Sequence, residues 1–407
     1  MQEHWIWYAE RKASAQQKRM LLEHFQSAEA IYRAGEESLQ KCPEMTPSLC
    51  ETLLDKDLEE ARMTLGKCRR MRIGVLTFED QSYPPLLRNL HDAPVVLYYQ
   101  GVLPKWEAQP VIGIVGTRKA TPYGEEMAAH LSGQIALCGG LVVSGGAFGI
   151  DTVALQSAMA TGSAVVAVLA GGLDRLYPAA NIPLFHKICL NGCILSEYAP
   201  GMPSMSWMFP QRNRIISGIS NGLLVVEAPE RSGALISARH AMEQGREVFT
   251  VPGNVSSPTC AGSNGLLREG ARAAMTGWDV MREYEALYPD RVARREAPKT
   301  VQKSLSSVAQ KPAIPETADK KGIDKNKKST YSGVHTANPA LTDEEQALVA
   351  AVGTGGGLTD EIIARSGLNA AQAKKLLTRL ALKKVLTLHP GGRVTLQSRR
   401  KLWHQIL

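Results

Sequence analysis

Cysteine is scarce and unpatterned in this chain: seven residues in 407, with no CxxC pair. An odd number without that spacing argues against both a disulfide framework and a structural zinc site. The nearest pair, Cys189 and Cys193, lies in an apolar stretch where buried free thiols are expected. Long apolar runs are missing too. The stretch SAVVAVLAGG around Val166 falls well short of the roughly 20 residues that cross a bilayer. The N-terminal MQEHWIWYAERK is apolar only briefly and carries Glu3 and Glu10, which is unlike a signal peptide. There is no Walker lysine loop, no GxGxxG after the first strand of the central region, and no His/Cys/Asp cluster at metal spacing. The expectation is a cytoplasmic protein with no membrane contact, metal or cofactor.

Charge is present but unevenly placed. The chain carries a net +8. Residues 291–330 contribute +7 and residues 341–407 contribute +5, while 331–340 carry no formal charge, which leaves residues 1–290 at −4. A polyanion is drawn to the C-terminal third. If the rest of the chain also binds nucleic acid, it does so with a few placed cations on an otherwise acidic surface.

At this length two or three domains are expected. Residues 1–70 have helical periodicity, as in KRMLLEHFQSAEAIYRAG, where Gly35 is a candidate C-cap. From Ile73 the pattern changes, and Pro84-Pro85 speaks against regular structure there. From about residue 110 to 285, apolar β-branched runs alternate with crossover-length segments: PVIGIVG, LVVSGG, SAVVAVLAGG, CILSE, GLLVVEA and EVFTVPG. Near-continuous apolar strands imply a sheet covered on both faces, hence a doubly wound α/β domain assigned to 71–285. Residues 286–340 lose periodicity and read as a flexible basic linker. In 341–407 Thr342 and Glu345 form a capping box, followed by three helices and a hairpin around Pro390-Gly391-Gly392, a winged-helix pattern.

Ligands of open α/β sheets bind beyond the carboxyl ends of the strands. After the first run stand Gly116, Thr117 and Arg118, with Thr121 as N-cap and Pro122 at the first helical position. Glycine lets an anion approach the backbone, the helix start supplies unpaired amides, and Arg118 adds a bidentate cation. Ser144, Gly145 and Gly146 repeat the arrangement after the second run, with Asp151 at the next helix start. Each turn by itself is equally compatible with an ordinary tight βα connection. WMFPQRNRIISGIS then sets Arg212 and Arg214 around Asn213 behind Phe209, a combination suited to phosphates and a stacked base. The competing reading puts Phe209 in the core and the arginines in ion pairs with Glu197 or Glu227, most strongly for Arg214. Arg231, Ser232 and Gly233 open a further helix. No nucleophile–base pair is visible, so no catalysis is expected.

These segments resemble the DNA-processing protein A family, DprA, also called Smf. The resemblance runs from about Tyr83 to Gly270 through YPPLLRNLHDAPVVLYYQG, VGTRKATPYGEEMA, VSGGAFGIDTVA, VLAGGLDRLYPAANIPL, FPQRNRIISGIS, VVEAPERSGALISA and VPGNVSSPTCAGSNGLL. It implies an extended Rossmann-like fold with a helical N-terminus of SAM or helix-hairpin-helix type and a winged-helix C-terminus. It further implies a non-enzymatic homodimer that binds single-stranded DNA and helps load the RecA recombinase in natural transformation. The implied contacts are Gly116, Thr117, Arg118, Ser144, Gly145, Gly146, Phe209, Arg212, Asn213, Arg231, Ser232 and Gly233. This chain has Phe148 and Leu155 where many members carry Arg and His. On the winged helix, Lys375, Arg379 and Lys383 are candidates for an auxiliary DNA contact. The alternative class is a nucleotide-hydrolysing Rossmann enzyme of the phosphoribohydrolase type, but its PGGxGTxxE signature is absent.

Overall fold

The computed structural model describes residues 2–43, 45–296, 343–352, 357–369, 385–388 and 393–396, and positions 372, 373, 376, 377 and 380. The chain divides into two compact units, one from residues 1–325 and one from 326–407.

The first unit opens with six helices: α1 (Gln2–Glu10), α2 (Ala15–Phe25), α3 (Ala28–Arg33), α4 (Glu36–Gln40), α5 (Pro47–Leu54) and α6 (Glu59–Arg70). Their starts are set by short polar caps. Ser14 and Gln17 form a reciprocal box at α2, and Thr46 caps α5 with Pro47 at the first turn. Gly35 does not end a helix as its position suggested. Ala34 already leaves the helical region after Arg33, and Gly35 is the N-cap of α4 at φ −83°. Trp5, Ile6, Trp7 and Tyr8 of α1 are all buried. They belong to one apolar core with Val96 and Tyr98 of the sheet.

That sheet has nine strands: β1 (Gly74–Thr77), β2 (Val96–Gly101), β3 (Val111–Val115), β4 (Leu141–Ser144), β5 (Val165–Leu169), β6 (Cys193–Ser196), β7 (Gly222–Val225), β8 (Glu247–Thr250) and β9 (Arg272–Ala273). Their spatial order is β1-β2-β6-β5-β4-β3-β7-β8-β9. The pairs β1–β2 and β2–β6 are antiparallel; every other neighbouring pair is parallel. All six apolar runs of the sequence form the strands β3 to β8, and β3 to β7 are buried at every position. The double-proline segment, expected to be irregular, holds a one-turn helix, α7 (Pro85–Arg88), with proline at the first helical position, where no amide is needed. The longer crossovers are α8 (Pro122–Leu137), α9 (Ile150–Ala160), α10 (Ile182–Ile188), α11 (Met208–Gly218) and α12 (Gly233–Glu243), followed by α13 (Ala261–Arg268) and α14 (Gly277–Met281). Thr121 caps α8 through the Gly124 amide, with Pro122 at the first turn. All seven cysteines are free thiols; Cys193 is buried and Cys189 half-buried.

β3 pairs with β4 on one side and with β7 on the other. The chain leaves β3 towards β4 and returns to its opposite side only with β7. This reversal of strand order opens a crevice at the carboxyl ends of the strands, the place where doubly wound sheets hold their ligands.

In the second unit, helices Asp343–Val352 and Thr359–Ser366 accompany a three-stranded sheet of β10 (Gly357–Leu358), β11 (Leu386–Leu388) and β12 (Arg393–Leu396) in the order β10-β12-β11. Both pairings are antiparallel, and β11 meets β12 in the register of the expected hairpin. Leu348, Val352, Ile362, Leu377, Leu380, Leu386 and Val394 form its core. Gly367 ends Thr359–Ser366 at φ 68°, a left-handed cap that glycine adopts without steric cost. The Thr342 cap, the Pro-Gly-Gly turn, the linker between 297 and 340, and Lys375, Arg379 and Lys383 lie outside the described residues. Among the described residues no helix is long and apolar enough to cross a membrane.

Candidate nucleic-acid interface

A cleft of about 510 Å³ occupies the switch point. One wall is the β3–α8 loop with Gly116, Thr117 and Arg118; another is the first turn of α11 with Phe209; the third is Arg231, Ser232 and Gly233 at the start of α12. These segments are spread over residues 116 to 233 of the sequence, and the strand order brings them together.

The β3–α8 loop is fixed from below. The Thr117 amide donates to the Glu227 carbonyl at 2.7 Å, and the Thr117 carbonyl accepts from the Ile150 amide at 3.2 Å. Gly116 is required by packing: a Cβ there would stand 2.5 Å from Ile150 Cγ1. Arg118 is exposed, and its guanidinium carbon lies 4.9 Å from the centroid of Phe209. Phe209 is half-buried, with Tyr177 edge-on at 5.8 Å. The ring is therefore held from two sides without being sealed in the core. A guanidinium over an aromatic face offers both a phosphate contact and a stacking plane.

Arg212 takes a different role. Only 4% of its surface is exposed. Its Nη1 donates to the carbonyl of Gly145 at 2.5 Å and to that of Val168, while Nε donates to Asn213 Oδ1 at 3.2 Å. Burial lowers its pKa to about 10, and burial likewise raises Asp151, the nearest acid, against the mutual attraction of the two groups. Asp151 Oδ2 accepts from the amides of Gly145 and Ala147 at 3.1 and 3.4 Å. Arg212 thus forms the floor of the cleft, a fixed positive charge beneath it. Asn213 bridges two walls by donating to the Gly233 carbonyl at 3.2 Å. Ser232 caps α12, accepting from the Ala234 amide, while Arg231 and Gly233 are exposed.

The second glycine turn lies under the cleft instead of lining it. Ser144 is fully buried and donates to the Ile114 carbonyl at 2.6 Å. Gly145 is covered by the Arg212 guanidinium, 2.3 Å from where its Cβ would be, and Gly146 at φ 64° packs against Phe185. Phe148 and Leu155 are buried apolar residues. From this loop only Ala147 and Asp151 reach the cleft. Arg214 forms the ion pair expected of it, donating to both oxygens of Glu197 at 2.6 and 2.7 Å. Lys119, Tyr177 and Ser206 also line the cleft. No residue pattern marks Tyr177, which approaches only because β5 lies two strands from β3. Among the described residues no group of His, Cys, Asp and Glu could hold a metal ion.

The chain thus holds a mainly parallel, extended Rossmann-like sheet with a cationic, partly aromatic cleft at its switch point, followed by a winged helix. The sequence profile of DNA recombination-mediator protein A matches residues 74–285, and that of the DprA winged helix domain matches 335–392. The chain belongs to the DprA/Smf family. It is 38% identical over 219 residues to the DNA processing protein DprA of Bacillus subtilis, covering 54% of this chain and 74% of that one. It is 40% identical over 210 residues to DprA of Streptococcus pneumoniae, covering 51% and 72%. The X-ray structure of DNA processing protein A from S. pneumoniae superposes with a TM-score of 0.62 at 31% identity, covering 70% of this chain and 98% of that one.

Proposed function

We propose that this protein binds single-stranded DNA in the switch-point cleft, shields it, and hands it to the RecA recombinase during natural transformation, without chemistry of its own. The observation that carries this reading is the exposed Arg118 guanidinium over the half-buried Phe209 ring, in a cleft that Gly116, Thr117 and Gly233 also line. Phosphates meet Arg118 and Arg231 beside the close backbone of Gly116, Thr117 and Gly233; a base stacks at Phe209; Asn213 and Ser232 hold the walls; Arg212 supplies charge from below. Ser144, Gly145 and Gly146 serve by carrying that floor. The nucleotide-hydrolase reading is weaker because the one acid at the cleft, Asp151, is occupied by two amides. In this reading the protein acts as a cytoplasmic homodimer, and Lys375, Arg379 and Lys383 add a sequence-independent contact that raises effective concentration.

The test is affinity for single-stranded DNA, duplex DNA and mononucleotides across a salt series. A mediator binds the single strand most tightly, with a steep salt slope and no product formed. Preference for mononucleotides with turnover supports the hydrolase. Removal of residues 286–407 should weaken binding and make the slope shallower; an unchanged slope assigns the winged helix another partner.

A further inference from the structure

The strands β7, β3, β4, β5 and β6 stand side by side, so their carboxyl ends form one continuous line leading away from the cleft. Beyond β6 the segment from Glu197 to Trp207 crosses this line on its way to α11. Trp207 is 53% exposed, although it stands two residues from Phe209 in the cleft wall. It is packed edge-on to Tyr198, with centroids 6.1 Å apart and planes at 83°. Tyr198 is itself held, its hydroxyl 3.3 Å from Gln211 Oε1 and its amide donating to Ser196 Oγ at 3.0 Å. An exposed indole on a fixed support presents a flat apolar face on which a base can stack.

The same segment touches the N-terminal helices. Gly201 donates its amide to Asp174 Oδ1 at 2.7 Å, and Lys67 Nζ of α6 lies 3.6 Å from where a Cβ of Gly201 would be. Lys67, Arg69 and Arg70 crowd the last turn of α6 and are exposed. Cations are favoured at any helix C-terminus by the dipole, so their type alone carries no conclusion. Their surroundings do. Arg62 on the same helix is paired with Glu3 at 3.0 Å, whereas Lys67 and Arg70 have no ion pair among the described residues. With Met63 and Gly66 they line a shallow groove whose acidic members, Asp57 and Glu59, stand at the other end of the helix.

We propose that a single strand seated in the cleft continues over the Trp207–Tyr198 pair onto the basic end of α6, where Lys67 and Arg70 receive its phosphates. The proposal rests on the cleft being a strand site, and it assigns nucleic-acid contact to helices that lie outside the matched family segment of 74–285. Its chemistry is that of single-strand grooves generally: cations that track the backbone, interleaved with aromatic planes that accept any base.

The experiment uses the full chain and labelled thymidine oligomers of about 6 and about 16 nucleotides, lengths that bracket short and long single-strand sites. The wild-type protein should bind the longer oligomer more tightly. Lys67→Glu with Arg70→Glu should weaken the longer one about tenfold and leave the shorter within about twofold, with the salt slope for the longer reduced by about 1.4. Trp207→Ala should also cost about tenfold on the longer oligomer, while Trp207→Phe retains most of the affinity. The double alanine variant at Lys67 and Arg70 should show the same length selectivity, which separates lost contacts from introduced repulsion. Unchanged affinity for the longer oligomer, or equal loss for both lengths, overturns the proposal. Failure of the underlying reading looks different: the wild-type protein binds neither oligomer, or Arg118→Ala leaves both affinities unchanged, and the extension falls with it.

Discussion

Two loops in this protein hold the same place in the topology, yet they end in opposite states. The loop after β3 and the loop after β4 both pass glycine at a strand end and both lead into a helix. The first presents an exposed arginine to solvent. The second is roofed by a buried one, whose guanidinium occupies the space above Gly145. Glycine at a strand end marks close approach; it does not say whether the approaching group is a ligand or the protein's own side chain. What decides is the neighbour. Arg212 reaches back from α11 over β4 and β5, while Arg118 beyond β3 stays exposed.

The contrast can be broken most forcefully at its roof. Arg212→Ala should lower unfolding free energy by about 3 kcal/mol in urea titration, since two strand-end carbonyls lose their donor and Asp151 loses its compensating charge. Lysine at the same site should not restore it, because one ammonium cannot reproduce the guanidinium fork. A variant with wild-type stability and reduced DNA affinity would show that Arg212 belongs to the open site after all. Phe209→Ala should do the reverse and cost about 1–3 kcal/mol of single-strand affinity with little loss of stability. Should the melting temperature fall while affinity per folded molecule is retained, the ring is part of the core. Arg118→Ala should reduce the salt slope for single-stranded DNA by about 0.7 and weaken all sequences alike, with stability unchanged to about 0.5 kcal/mol. An unaltered slope would make the open loop as structural as the closed one.

The smallest effect sharpens the contrast through pH. Burial raises Asp151 above its ordinary value of 3.8. The folded protein therefore binds this proton more tightly than the unfolded chain, so the contribution is full below about 3.8 and is lost as pH rises through the raised value. The stability of wild type minus that of Asp151→Asn should decline from pH 3.5 towards pH 6. A difference that grows over this interval would mean that attraction to Arg212 outweighs burial.

Much of this was legible in the residues. Strands β3 to β8 show as apolar runs because both their faces are covered, and Thr121-Pro122 marks a helix start because cap and proline act locally. The resemblance to DprA/Smf pointed to the family that the comparisons establish. Strands β1, β2 and β9 carry no comparable pattern. β9 has two residues, both exposed, and β1 and β2 join the sheet antiparallel at its edge, which no crossover spacing announces. Arg212 and Arg118 are indistinguishable as letters in a loop or helix start. Their difference lies in which carbonyls a long side chain happens to reach, a matter of three-dimensional neighbours with no signature along the chain.

The shared apolar core of α1, α6 and β2 has a consequence for how the molecule comes apart. The matched family segment begins at residue 74, but the indoles of Trp5 and Trp7 are buried with Tyr98 beyond that boundary in one continuous cluster. The border of sequence similarity is therefore not a border of cooperativity. Residues 1–296 should melt in a single transition, and a protein begun at residue 74 should expose the face that α1 covers and associate through it.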